Sequence, residues 1–423
     1  MKPSRNSITV FEHESLKVGQ VQNGVEFSQH HLTSLEKFLG DKGTPYFRMI
    51  HRGVRFCEFV GVLQVGNLTI EVLPKADKDG DKKHWRDVLI GMLRKVGMFD
   101  ITAPSQANLR IKPNHLLDLY FELFISEVEY LVHIGLVKKY RKDACNLNSL
   151  KGSLHFSRHL RENLVHQERF YTRHTVYDRE NLFNQVIYKA IHLVEDINTN
   201  TSLSSRIGAL LLDFPEMSDV RVSEAWFNAI VFSRKTEHYR KAIDIARLLL
   251  LNYHPDISRG RNHVLALMFD MNLLWEMFVY VSLRKHLPAD HIRAQSSKPY
   301  WQLDDHRPVH LKPDIVINRG DQTYVIDTKW KVLNNDRPSD DDLRQMYAYT
   351  RYFKADHTLL CYPGEDKFQN GYFFAEEAEK IGSRCSIIRI SMDKEDKIST
   401  WQSRIGTRIT DVLYLMETSC API

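Results

Sequence analysis

Residues 313–329 read PDIVINRGDQTYVIDTK, a Pro-Asp dipeptide and an Asp-x-Lys triplet whose aspartates are separated by twelve residues. The run Tyr324 to Trp330 is rich in β-branched and aromatic residues and follows Asn318-Arg319-Gly320-Asp321, a turn signal, so it reads as a strand. Side chains alternate across a strand: Val325, Asp327 and Lys329 share one face, Tyr324, Ile326, Thr328 and Trp330 the other. Pro313 to Ile317 is a second β-branched run, and a short turn folds it back as a hairpin that brings Asp314 near Asp327. Two carboxylates so placed repel each other unless a cation lies between them, and hard oxygen ligands with room for water and phosphate suit Mg2+. Such an ion stabilises charge on a phosphate and acidifies an attacking water. Lys329 is placed to orient that water or to stabilise the developing charge.

Asp-x-Lys on a strand is commonly a solvated pair of surface charges and nothing more. Its neighbours argue otherwise. Pro338-Ser339 followed by three aspartates has the composition of a helix start, with Ser339 as cap and an acidic first turn, and the helix extends to about Phe353. Gln345 and Tyr349, four apart, share a face of it and are candidates for contacting DNA phosphate or the lysine. Upstream, LLWEMFVYVSL carries Glu276 in an otherwise apolar helix spanning Leu273 to Arg284, where a carboxylate is costly to bury without a partner. Downstream, HTLLCYP (His357 to Pro363) reads as a buried strand.

In order, Glu276, Asp314, Asp327-x-Lys329 and Gln345-x-x-x-Tyr349 fall on helix, strand, strand and helix. This resembles the PD-(D/E)xK nuclease superfamily in its RecB-like form. Further segments, namely IEVLPK (70–75), LKGSLHFSRHL (150–160), YDRENLFNQVIYKAI (177–191), FDMNLLWEMFV (269–279) and LLCYP (359–363), resemble the McrC family. That family is the nuclease subunit of McrBC, a GTP-driven system that restricts DNA with modified cytosines. The resemblance implies that Asp314 and Asp327 hold Mg2+, with Glu276 assisting through a water or a second ion. It also implies that Lys329 positions or activates the nucleophilic water, and that Gln345 and Tyr349 orient the site or the strand. The partners it implies are a hexameric McrB-like AAA+ GTPase and double-stranded DNA.

The 423 residues predict two or three domains in an α/β chain: a β-rich N-terminal domain (1–105), an α-helical middle domain (106–255) and a PD-(D/E)xK nuclease domain (256–423). In the first, Val54 to Val65 and Leu68 to Leu73 flank the hairpin signal Gly66-Asn67, and Trp85, Val88, Leu89, Met92, Leu93 and Val96 recur at helical spacing. The resemblance gives this domain the task of engaging the motor. The middle opens with a helix, His115 to Lys139, apolar except for a stripe at Asp118, Glu122, Ser126, Glu129 and His133.

The net charge is only +5, but between His133 and Thr175 nine Lys or Arg stand against three acids, a basic segment suited to a phosphate backbone or simply to solvent. Five cysteines without Cys-x-x-Cys spacing indicate neither a zinc site nor a disulfide framework. His155 and His159 have the spacing of helical ligands but lack a completing third residue. No apolar run reaches membrane-spanning length, which with the reduced cysteines fits a cytoplasmic protein. There is no Gly-Lys dipeptide and so no Walker A loop, and GTP-driven work requires a partner. Two alternatives to a motor-controlled endonuclease subunit stand beside it: a regulatory subunit that mainly stimulates the partner GTPase, and a stand-alone defence or repair nuclease. Deleting residues 1 to 105 is expected to separate the first of these from a nuclease that retains weak cutting.

Overall fold

The computed structural model describes residues 6–40, 43–75, 81–96, 116–254, 264–287, 292–333, 336–374, 381–393 and 396–418. The chain falls into two units, one from residues 104–267 and one from residues 6–103 together with 268–423.

In the second unit, Ser7–Phe11 runs parallel to Leu68–Leu73, which pairs antiparallel with Phe59–Val65. Val65 faces Leu68 across a two-residue turn in which Gly66 has φ 59°, the positive dihedral that tight hairpins require of their first central residue. The helix Lys82–Val96 buries Trp85, Val88, Leu89, Met92, Leu93 and Val96, the stripe expected from the spacing.

The C-terminal part of this unit is a seven-stranded mixed sheet. Ile292–Ala294, Ile315–Arg319 and Gln322–Thr328 are successively antiparallel, and His357–Pro363 and Ile381–Ile390 then continue in parallel. Every residue of His357–Pro363 is buried, as a central strand covered on both faces requires. The helix Asp340–Phe353 places Met346, Tyr349 and Phe353 with Val325, Leu360 and Tyr362 in one core cluster. The helices Met271–Leu283 and Ile398–Thr418 meet through Trp275, Phe278 and Trp401, with Trp275 stacked on Trp401 at 5.3 Å.

The division into an N-terminal domain and a separate nuclease domain is corrected by this packing. Trp330, directly after Lys329, sits edge-on to Trp85 at 6.1 Å and near Trp275 at 5.5 Å, and its indole N–H donates to Glu12 at 2.8 Å. Gly91 is pressed so closely onto Ile398 that a Cβ there would lie 2.8 Å from it. Residues near both chain ends thus complete one core. The boundary also moves, because Tyr253–His254 pairs with the beginning of Val264–Asp270 and residues up to 267 group with the middle unit.

The middle unit is helical where expected, in Leu116–Ile134, Leu182–Ile197, Thr201–Asp213 and Arg240–Leu251. Its first helix stops at Ile134, five residues before the expected end, because Gly135 takes φ 94°. The polar stripe on that helix is met by Arg206, which donates to Glu129 at 2.6 Å and to Ser126 at 3.0 Å and lies 3.8 Å from the buried Glu122. The basic segment departs from the helical expectation. It forms a three-stranded antiparallel sheet of Lys139–Leu147, Ser153–Leu154 and Phe170–Asp178, with a short helix Phe156–Glu162. Half-buried and exposed residues alternate along KYRKDACNL, a period of two that favours a strand over a helix.

Candidate active site

The hairpin forms as the β-branched runs predict, with Ile315 opposite Ile326 and Arg319 opposite Gln322 across a turn in which Gly320 has φ 57°. One step beyond this register, Asp314 faces Asp327. Asp314 is fixed by Thr328, whose backbone N–H and Oγ1 donate to its Oδ2 at 2.6 and 2.8 Å. Strand alternation alone puts Thr328 on the face opposite Asp327, and only the structure reveals it as the residue that seats Asp314.

Asp327 is only 1% exposed. Lys329 Nζ lies 2.7 Å from its Oδ2 in an ion pair. Burial pushes the Asp327 carboxyl up to about 7; the neighbouring charge of Asp314 adds to the shift and Lys329 opposes it. Asp314 is raised as well, chiefly by burial, against the hydrogen bonds from Thr328 and the charge of Lys329. Burial works against the Lys329 ammonium, but Asp327 and Asp314 more than compensate and hold it above the ordinary lysine range. The lysine is therefore a fixed cation at neutral pH and a hydrogen-bond donor.

Lys329 Nζ also donates to Gln345 Oε1 at 3.0 Å. Gln345 Nε2 donates to the Tyr349 hydroxyl at 2.7 Å, and that hydroxyl donates to the Lys312 carbonyl at 3.1 Å. The i, i+4 pair thus links the lysine to the chain just before Asp314. The helix that presents it starts at Ser339, whose hydroxyl accepts from the Asp342 N–H while Asp342 accepts from the Ser339 N–H, a reciprocal cap. Asp342 has a second partner: Lys331 Nζ at 2.5 Å. Burial disfavours the Asp342 charge, but Lys331 and Ser339 hold its carboxyl below the usual range.

Glu276 is half-buried, and its Oε1 accepts from Gln295 Nε2 at 2.9 Å. Burial raises its carboxyl, and the charge of Asp314 raises it further, so the two lie within electrostatic reach. Glu276, Asp314 and Asp327 do not close into a single set with all ligand atoms within 4.8 Å. The structure thus unites Asp314, Asp327, Lys329, Gln345 and Tyr349, with Glu276 at the margin. Gln295, with φ 49°, is a contributor that sequence pattern does not signal.

His155 and His159 form no such set among the described residues; His159 Nδ1 lies 3.1 Å from Asn163 Nδ2 and its ring stacks on Phe170.

No curated protein matches the chain in sequence. Among solved structures, the chain is similar to one in the refined half-complex from a tetradecameric assembly of Thermococcus gammatolerans McrB AAA+ hexamers with bound McrC. There the TM-score is 0.69 at 20% identity, over 96% of this chain and 100% of that one. A chain of the cryo-EM structure of the Thermococcus gammatolerans McrBC complex aligns with TM-score 0.47 at 20% identity, over 66% of this chain and 88% of that one. The first establishes a shared fold. Residues 54–363, more than half of the chain and including Asp314, Asp327 and Gln345, match the family model described as McrBC 5-methylcytosine restriction system component, and the chain belongs to that family.

Proposed function

We propose that this restriction-system component is its metal-dependent endonuclease subunit, cutting double-stranded DNA with modified cytosines under the control of an McrB-like AAA+ GTPase that it also stimulates. The observation that carries the reading is the buried Asp314 and Asp327 pair beside Lys329. Two carboxylates raised by burial, Asp327 further by the charge of Asp314, favour a cation between them. An all-oxygen set of this kind suits Mg2+, with Asp314 and Asp327 as protein ligands and Glu276 reaching it through a water or a second ion. When bound, such an ion supplies electrostatic stabilisation of the phosphate and a more acidic water.

The side chains divide the remaining work. Lys329, held charged, donates to the attacking water or to a phosphate oxygen, a positioning role that does not require it to take up a proton. Gln345 and Tyr349 hold the lysine against the strand. The absence of a Walker A loop leaves GTP hydrolysis to the partner. The N-terminal strands are the part we assign to contact with that motor. No helix among the described residues is long and apolar enough to cross a membrane.

The test is cleavage of modified DNA with Mg2+, GTP and the purified motor protein. Lys329→Ala and Asp327→Ala should each lose cutting while still assembling with the motor and still stimulating its GTPase. Undiminished cutting by either variant would refute the assignment.

A further inference from the structure

In the middle unit, His174 lies opposite Asp143 and Thr172 opposite Cys145 on neighbouring antiparallel strands. Residues two apart on a strand share a face, so Asp143, Cys145, Thr172 and His174 project to the same side. A carboxylate oxygen of Asp143, the Cys145 sulfur and an imidazole nitrogen of His174 all lie within 4.8 Å of one another. His174 is 8% exposed and Thr172 fully buried, whereas Asp143 and Cys145 are reachable from solvent.

We propose that Asp143, Cys145 and His174 form a Zn2+ site with three protein ligands and a fourth position open to water. The donor set decides the metal class. One sulfur, one nitrogen and one oxygen suit a borderline divalent ion such as zinc, whereas Mg2+ takes oxygen ligands. Metal–ligand bonds of about 2.0–2.3 Å set donors roughly 3.5 Å apart in a tetrahedral site, and side-chain rotation at Asp143 and Cys145 closes the remaining distance. Thr172 Oγ1, 3.5 Å from His174 Nδ1, restrains the ring, as outer partners of ligating histidines do. Gly152 brings the returning chain against the same residue: at φ 76° it lies so close that a Cβ would be 2.9 Å from the His174 Cβ. Arg141 competes for Asp143 at 3.3 Å, but both are about one-third exposed, and such pairs contribute little. On binding, the Cys145 thiol gives its proton to solvent and the thiolate, the neutral imidazole and the carboxylate donate to zinc. The ion staples the two long strands of the basic sheet.

The site is independent of the nuclease reading, and the test keeps them apart. Full-length protein loaded with Zn2+ and desalted should retain about one zinc per chain by elemental analysis. Cobalt substitution should give a thiolate-to-cobalt charge-transfer band. Both signals should vanish in Cys145→Ser and in His174→Ala and persist in Asp327→Ala. Zn2+ should also raise the Tm of the wild type and leave that of Cys145→Ser unchanged. If His174→Ala fails to fold, Cys145→Ser, a near-isosteric change at a half-buried position, carries the test. The proposal is overturned if the wild type retains no zinc, or if Cys145→Ser retains as much as the wild type.

Discussion

The hairpin Ile315–Thr328 and the strand pair Lys139–Leu147 with Phe170–Asp178 are both antiparallel and both carry acids beside bases. In the pair, Arg141 lies 2.9 Å from Asp178 and 3.3 Å from Asp143, with all three side chains about one-third exposed. In the hairpin, Asp327 and Lys329 are 2.7 Å apart with the aspartate sealed from water. The distances are similar, but the electrostatics are not. Asp327 is pushed up to about 7, because there the charge is paid for in desolvation. Ionic pairing becomes reactive where water has been removed, and residue types alone do not reveal where that is.

The contrast can be broken most directly by removing one cation from each. Lys329→Ala leaves two buried carboxylates without their cation, and the metal-free protein should lose about 3 kcal/mol in denaturant unfolding at pH 8. Arg141→Ala should lose less than about 1 kcal/mol. Equal losses would show that burial is not what distinguishes them. A smaller effect, of opposite sign, is expected from Asp327→Asn. It removes an ionisation that the fold resists, and metal-free stability at pH 8 should rise by about 1–2 kcal/mol while cutting is lost. Asp178→Asn should change stability by no more than about 0.5 kcal/mol.

The pH dependence sharpens the same point. The folded protein holds the Asp327 proton up to about pH 7, whereas the unfolded chain releases it near 4, so stability from this group is full below the lower value and is lost as pH rises through the upper one. Mg2+ affinity should move the other way, rising with pH and levelling above about 7, because the carboxylate must be free to coordinate. Calorimetric titration of Mg2+ between pH 5.5 and 8.5, flanking that value, checks this, and a flat profile would contradict it. Gln345→Ala acts on turnover rather than on stability. It frees the lysine from its helix without removing a charge and should lower cutting by about tenfold to a hundredfold with Mg2+ affinity little changed.

Much of this geometry is legible in the sequence. Asp327 and Lys329 share a face because strands alternate, Gln345 meets Tyr349 because helices repeat near four, and the Asn-Arg-Gly-Asp turn brings Asp314 back to them. These are short-range rules. What they do not reach is long-range: Trp330 between Trp85 and Trp275, Glu12 at the indole of Trp330, and Gly91 against Ile398. The basic segment was open to a helical reading because short runs such as KYRKDACNL carry few apolar residues to fix a period. Asp143, Cys145 and His174 escape spacing rules because their neighbourhood arises across two strands. The packing of the N-terminal strands also alters the deletion of residues 1 to 105 as a test. It would remove Glu12 and Trp85 from the core around Trp330, so lost cutting would not show a regulatory role.

The hydrogen bond from Trp330 to Glu12 joins residues 318 positions apart. A ribosome delivers Glu12, and then Trp85, long before the indole that completes their surroundings. The chain must make the whole middle unit in the interval, so the early strands wait with an unfinished core. The aspartates and lysine of the hairpin thus gain their dry environment only after the middle unit has been made. A polypeptide abandoned halfway carries neither a finished N-terminal core nor the strand that bears Asp327.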